Sequence, residues 1–233
     1  QTHVIHVSRG GNGLGDDRGG LPTYVESCVA NGYVVVEVDH RFAGSDIENI
    51  ARRRGEEIQF ISEQVAQGGL DYGGFQGTVD ASSQGYMGHS GGCMEGLMAA
   101  GTAMTHGDYT APAIKAVYGM SPAGYDPDQF GIVQDPPGYA AIDSTAVFVV
   151  IGEEEADVNG PGEFMADDWR LQAFAAMSAD GPRFQALIKG TNTDHLDIRG
   201  ANTDIEAYNR ANALALFDTY LRGEDRADVI GTL

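Results

Sequence analysis

The sequence predicts an α/β fold: one domain over 1–233, a mainly parallel sheet of about six strands, helices on both faces and no cap domain. Three observations carry that expectation. Short apolar runs of strand length recur along the chain and are separated by stretches of helical period. The run Tyr33–Val38 is almost wholly apolar and β-branched, as expected of a central strand covered on both faces by helices. The segments between successive strands are long enough for the right-handed crossovers that parallel pairing requires.

In chain order, Val4–Ser8 is the first strand, and the glycine-rich loop Arg9–Gly15 follows it. A phosphate-binding reading of that loop fails. The dinucleotide spacing needs glycine where Asp16 or Arg18 stands, the Gly-Lys pair of a P-loop is absent, and Asp16 and Asp17 would repel a phosphate. Backbone amides approaching a small oxyanion suit the loop better, which singles out Gly10 and Gly11. Leu21–Asn31 reads as a helix with Tyr24, Val25, Cys28 and Val29 on one face, stopped at Asn31-Gly32. After Tyr33–Val38, Ser45 or Asp46 caps a long helix to about Ala66 that carries Ile47, Ile50, Ile58, Ile61 and Val65. Residues 68–83 read as polar connection, Gln84–Gly88 as a buried strand, Lys115–Gly119 as another, and 120–144 as a long binding loop or lid. The strand Thr145–Ile151, a helix over Glu163–Ala179, the strand Arg183–Ile188 and a closing helix over Asp204–Arg222 complete the chain.

Composition narrows the partners. With 34 acidic against 14 basic side chains, the formal net charge is -20, which makes nucleic acid and anionic membrane poor partners. The excess serves solubility, or adaptation to salt that screens self-repulsion. No apolar run reaches the roughly 20 residues of a membrane span. The chain opens directly on a strand, so an export signal removed upstream is slightly favoured over a cytoplasmic location. Cys28 and Cys93 fit no metal spacing and are expected as buried free thiols.

The chemistry centres on Gly88-His89-Ser90-Gly91-Gly92, followed at once by the apolar helical positions Cys93, Met94, Leu97, Met98 and Ala100. A serine in a tight strand-to-helix turn needs neighbours without side chains two positions either side, which this G-x-S-x-G spacing provides. Ser90 is the candidate nucleophile, and the Gly91 N–H at the helix start can face a developing oxyanion. A base and an acid should follow later strands at their carboxyl ends. His195, in Thr191-Asn-Thr-Asp-His-Leu196, follows the last strand, whereas His3 and His6 lie within the first strand, His89 is the variable position of the turn, and His40 and His106 are less well placed. The acid belongs after Ile151, where Glu153, Glu154, Glu155 and Asp157 compete. Glu155 has the better spacing from Gly152. Asp157 has the better spacing to Pro161, and is the acid expected here, with the remaining acids solvated.

With a serine, an acid and a histidine in that order, the chain resembles the α/β-hydrolase superfamily. Val7-Ser-Arg-Gly-Gly11 is similar to the Ser-His-Gly segment of dienelactone-hydrolase-like and platelet-activating-factor-acetylhydrolase-like esterases, with Arg9 where histidine is common, and polyester hydrolases of cutinase type have a comparable build. The resemblance implies an oxyanion hole from the Gly11 and Gly91 amides, a Ser90–His195–Asp157 triad, no cofactor and no metal. It also implies hydrolysis of small or polymeric carboxylic esters, and the aromatic residues Tyr125, Phe130 and Tyr139 of the long loop would suit an apolar acyl or alcohol group of the substrate. Peptidase, thioesterase and acyltransferase activities, or a non-catalytic binding protein on the same fold, are the alternatives. The two leading antiparallel strands common in that superfamily are not present in this sequence.

Overall fold

The computed structural model describes residues 1–10, 21–38, 40, 47–72, 75–125, 130–156 and 169–232. Six strands form one sheet: β1 (Thr2–Ser8), β2 (Val34–Glu37), β3 (Val79–His89), β4 (Ile114–Met120), β5 (Ala146–Gly152) and β6 (Arg183–Ile188). Their order is β2-β1-β3-β4-β5-β6 and every pairing is parallel. Among the described residues, six α-helices accompany them: α1 (Pro22–Ala30), α2 (Ile47–Ala66), α3 (Gly91–Ala99), α4 (Glu153–Ala156), α5 (Gln172–Ala176) and α6 (Thr203–Arg222).

Alternation along the strands sorts side chains to two apolar layers. Tyr86, Val117, Val147 and Val149 pack with residues of α2, α3 and α5, while Ile5, Val7, Met87, Tyr118, Phe148 and Val150 pack with residues of α1 and α6. Covered on both sides, β4 beyond the exposed Lys115 and all of β5 are buried, as their apolar runs require. Helix α6 starts at Asn202, whose side chain accepts from the Asp204 and Ile205 amides, a cap worth roughly 1 kcal/mol, and it stops at Gly223 in the left-handed region (φ 71°). Cys28 and Cys93 are buried and free.

Three expectations change. Tyr33–Val38 is not a central strand: β2 lies at the sheet edge and its residues are only partly buried, because the chain after it crosses back over β1 to place β3 on the other side. Strand β3 begins at Val79, inside the stretch read as connection, since Val79 and Asp80 pair with the start of β1. Of the helix expected over 163–179, the described part is a 3-10 turn at Trp169–Leu171 and the short α5. Among the described residues, no helix is long and apolar enough to cross a membrane.

The strand order matters for function. From β1 the chain moves outward to β2, then returns to the opposite side of β1 at β3. Such a reversal opens a crevice at the carboxyl ends of β1 and β3. Those ends are Ser8-Arg9-Gly10 and His89-Ser90.

Candidate active site

Ser90 stands between β3 and α3 with φ 55° and ψ −120°, a conformation that costs an L-residue free energy and persists only when its surroundings enforce it. The enforcement is visible. The Ser90 amide donates to the Met120 carbonyl at 2.9 Å and its carbonyl accepts from Met94 N at 3.1 Å, so the turn is held by β4 on one side and α3 on the other. Side chains would not fit around it: a Cβ on Gly88 would strike the Gly92 backbone, and one on Gly92 the Ser8 carbonyl. Gly10 lies directly against the serine, since a Cβ there would fall 2.6 Å from Ser90 Cβ and 3.2 Å from its Oγ.

A cleft of about 80 Å³ opens beside Ser90, lined by Ser90, Gly91, Met94, Ser121, Ala123, Phe130, Trp169 and Arg170. Phe130 and Trp169 stack obliquely on its apolar side with ring centroids 5.9 Å apart. Of the three expected contact residues, Phe130 lines the cleft. Tyr139 is fully buried, donates its hydroxyl to the Ala123 carbonyl at 2.6 Å and supports the cleft from beneath, with Tyr125 packed on it at 5.7 Å. Gly91 lines the cleft at the first position of α3; Gly11 lies outside the described residues.

His195 follows β6 in a turn whose direction comes from Asp194, which accepts from the Leu196 and Asp197 amides at 2.8 and 3.0 Å. Its Nδ1 donates to Glu155 Oε2 at 3.0 Å. The acid expected at Asp157 falls outside the described residues, and the carboxylate at the histidine is Glu155, three residues past Gly152. Four groups hold that carboxylate. Ser121 Oγ and the Gly152 amide donate to Oε1 at 2.8 and 3.0 Å, while His195 and Arg170 Nε, the latter at 3.4 Å, address Oε2. Arg170 also donates to the Ser121 and Pro122 carbonyls, and burial pulls its pKa down while Glu155 opposes that pull.

The glutamates beside Glu155 are not merely solvated. Glu153 accepts from the Gly190 amide at 3.0 Å, and Glu154 accepts from Thr193 N at 3.0 Å while its own amide donates to Thr193 Oγ1 at 3.2 Å. Three successive acids thus fasten three points of the turn that carries His195. His89 adds a fourth: its Nε2 donates to the His195 carbonyl at 2.9 Å and the two rings lie 4.3 Å apart. Because His89 immediately precedes Ser90, this contact joins the histidine's turn to the serine's.

No known protein family matches this chain. A comparison with curated proteins likewise found no match. The reading of the site therefore rests on its geometry.

Sequence reasoning did not single out Ser121 or Arg170. Ser121 directly follows β4 with φ 55°, the same positive φ as Ser90, but nothing local marks it except Pro122. Arg170 is separated from Glu155 by a long segment, so no spacing rule pairs them. The other histidines are occupied: His106 Nδ1 faces the Tyr109 hydroxyl at 2.7 Å, and His40 lies buried between carboxylates.

Proposed function

We propose that this protein is a serine hydrolase of carboxylic esters, built as the α/β-hydrolase superfamily is, in which Ser90 is the nucleophile, His195 the general base and Glu155 the acid in place of Asp157. The observation that carries the reading is the Glu155–His195 hydrogen bond at the carboxyl ends of β5 and β6, on the same sheet edge as a serine in a strained strand-to-helix turn. With Nδ1 committed to Glu155, the Nε2 of His195 is the nitrogen left to take the hydroxyl proton. Ser90 Oγ bonds to the ester carbonyl carbon and the carbonyl π electrons move onto oxygen. The Gly91 amide at the start of α3, with the Gly11 amide as its partner donor, stabilises that oxyanion.

Collapse of the adduct expels the alkoxide, which takes the proton from His195 and leaves Ser90 acylated. Water then attacks the acyl carbon, giving its proton to His195, and the carboxylic acid departs as Ser90 regains its hydrogen. Glu155 accepts from His195 throughout and stabilises the imidazolium formed in each half. The wall of Met94, Ala123, Phe130 and Trp169 suits an apolar acyl group, and no step calls for a metal or organic cofactor.

The test is covalent labelling with a fluorophosphonate, the adduct located by peptide mass spectrometry, alongside hydrolysis of p-nitrophenyl esters of increasing acyl length. Ser90 should carry the label, and Ser90→Ala and His195→Ala should each abolish turnover while keeping the native circular dichroism. A label on another serine, or near-normal turnover in either variant, would overturn the assignment.

A further inference from the structure

Outside the cleft, a second group of charged side chains converges beneath the exit of β1. Glu95, five residues after Ser90 on the same helix, is completely buried. Its Oε2 accepts from Ser8 Oγ at 2.8 Å, His40 Nε2 at 2.9 Å and Arg54 Nη1 at 3.2 Å. Arg54, itself 1% exposed, also donates from Nη1 to the Arg9 carbonyl at 3.2 Å, and His40 Nδ1 lies 2.6 Å from Glu57 Oε2. Burial works against the charge on Glu95, yet its partners His40, Arg54 and Ser8 outweigh that and hold its carboxyl below the ordinary range.

Ser8, His40 and Glu57 are in hydrogen-bond contact in series, but Ser8 is 1% exposed and no substrate can reach it. A buried ion pair is a poor device for stability alone, because apolar residues of similar shape do as well or better. What distinguishes this network is what it grips. Arg54 holds the Arg9 carbonyl, Glu95 holds the Ser8 side chain, and the next residue, Gly10, is the one pressed against Ser90.

From this chain of contacts we infer that Glu95, together with Arg54, is a positioning residue for the oxyanion hole: it sets how closely the Ser8–Gly10 segment approaches Ser90. The inference rests on the serine-hydrolase reading. In that reading the second oxyanion donor comes from the residues leaving β1, and a displacement of about 1 Å at such a donor costs on the order of 100-fold in rate. Neither residue touches substrate. Their effect passes through the backbone they hold, so it should fall on the transition state and leave ground-state binding nearly untouched.

The decisive variant is Arg54→Met combined with Glu95→Leu, which removes one charge of each sign, leaves net charge unchanged and fills the same space. Glu95→Gln, which keeps an acceptor for Ser8 and His40, is its conservative counterpart. On an ester that the wild type hydrolyses, the double variant should lose about 10- to 100-fold in kcat with KM within about twofold, and a trifluoromethyl ketone should bind more weakly by a similar factor. Glu95→Gln, which weakens the grip without removing the acceptor, should show a smaller, several-fold fall in kcat at constant KM. Hydrogen exchange at the Ser8–Gly10 amides should quicken in the double variant while the melting temperature holds. A folded double variant with wild-type kcat, or one whose loss lies in KM, overturns the inference and leaves the hydrolase reading standing. If the double variant does not fold, Glu95→Gln decides: a several-fold fall in kcat at constant KM supports the inference, and an unchanged kcat overturns it. A wild type without Ser90-dependent turnover overturns both.

Discussion

His89 donates its Nε2 proton to the carbonyl oxygen of His195, so the residue beside Ser90, the proposed nucleophile, holds the backbone of the proposed base. Burial first, and the neighbouring His195 second, push the His89 pKa far down, which keeps the ring neutral and its Nε2–H committed to that carbonyl. His89→Phe preserves the ring's bulk and deletes the donor. We expect a fall in kcat of about tenfold, the scale of one lost hydrogen bond, with Ser90 still open to a fluorophosphonate. Unchanged kcat in this variant would mean that the turn is held adequately by the glutamates alone.

The acid can be assigned by three carboxamides. Glu155→Gln should lower kcat by about three to four orders of magnitude through loss of the imidazole tautomer and of imidazolium stabilisation. Asp157→Asn and Glu154→Gln should stay within about tenfold of wild type, since the Glu154 carboxylate accepts from the Thr193 amide rather than from the imidazole of His195. A severe Asp157→Asn with a mild Glu155→Gln would return the acid to Asp157.

Stability should hold level from pH 8 to about 6.5 and fall as pH drops from there to 5. His6 and His89 are buried with pKa values below the ordinary 6.5, so above that value both are neutral whether folded or unfolded and linkage is flat. As pH falls through 6.5 the unfolded imidazoles take protons that the folded ones refuse, and each costs up to about 1.4 kcal/mol per pH unit. Below about 4.5 the depressed carboxyl of Glu95 adds a further loss, its contribution being complete above the unfolded value and disappearing as pH falls through the folded one. Urea midpoints at pH 8, 6, 5 and 4 check the trend; a midpoint that holds level to pH 5 would contradict the neutral burial of both histidines.

The net charge of -20 makes a separate claim. If it reflects adaptation to salt, the melting temperature should climb markedly between low salt and about 1 M, where the screening length is roughly 3 Å. A flat response would leave solubility as its role.

How much of this was legible beforehand depends on range. Strand β6 was read with its observed ends and β5 within a residue, since short apolar runs identify buried strands locally, and Ser90 was marked by glycines that its turn requires. The edge position of β2 was not legible: a β-branched run reads alike wherever it pairs, and only the crossing after it decides its neighbours. Glu155 and Asp157 are two residues apart, and which carboxylate reaches His195 depends on the direction of a four-residue helix. Glu95 does carry a signal in the sequence. An acid inside Gly-Gly-Cys-Met-Glu-Gly-Leu-Met-Ala, with no polar neighbour on its helix, must find its partners elsewhere in the fold.

The contacts of Glu153, Glu154 and Glu155 with Gly190, Thr193 and His195 carry a lesson for anyone recombining this protein. Two short segments that lie far apart along the chain behave as a single cassette. Shortening or lengthening 190–195 by one residue would move every contact out of register at once, and a transplanted copy of that turn would arrive without its moorings unless 153–155 travelled with it. Loop exchange at this edge of the sheet should therefore succeed only when both segments are moved together.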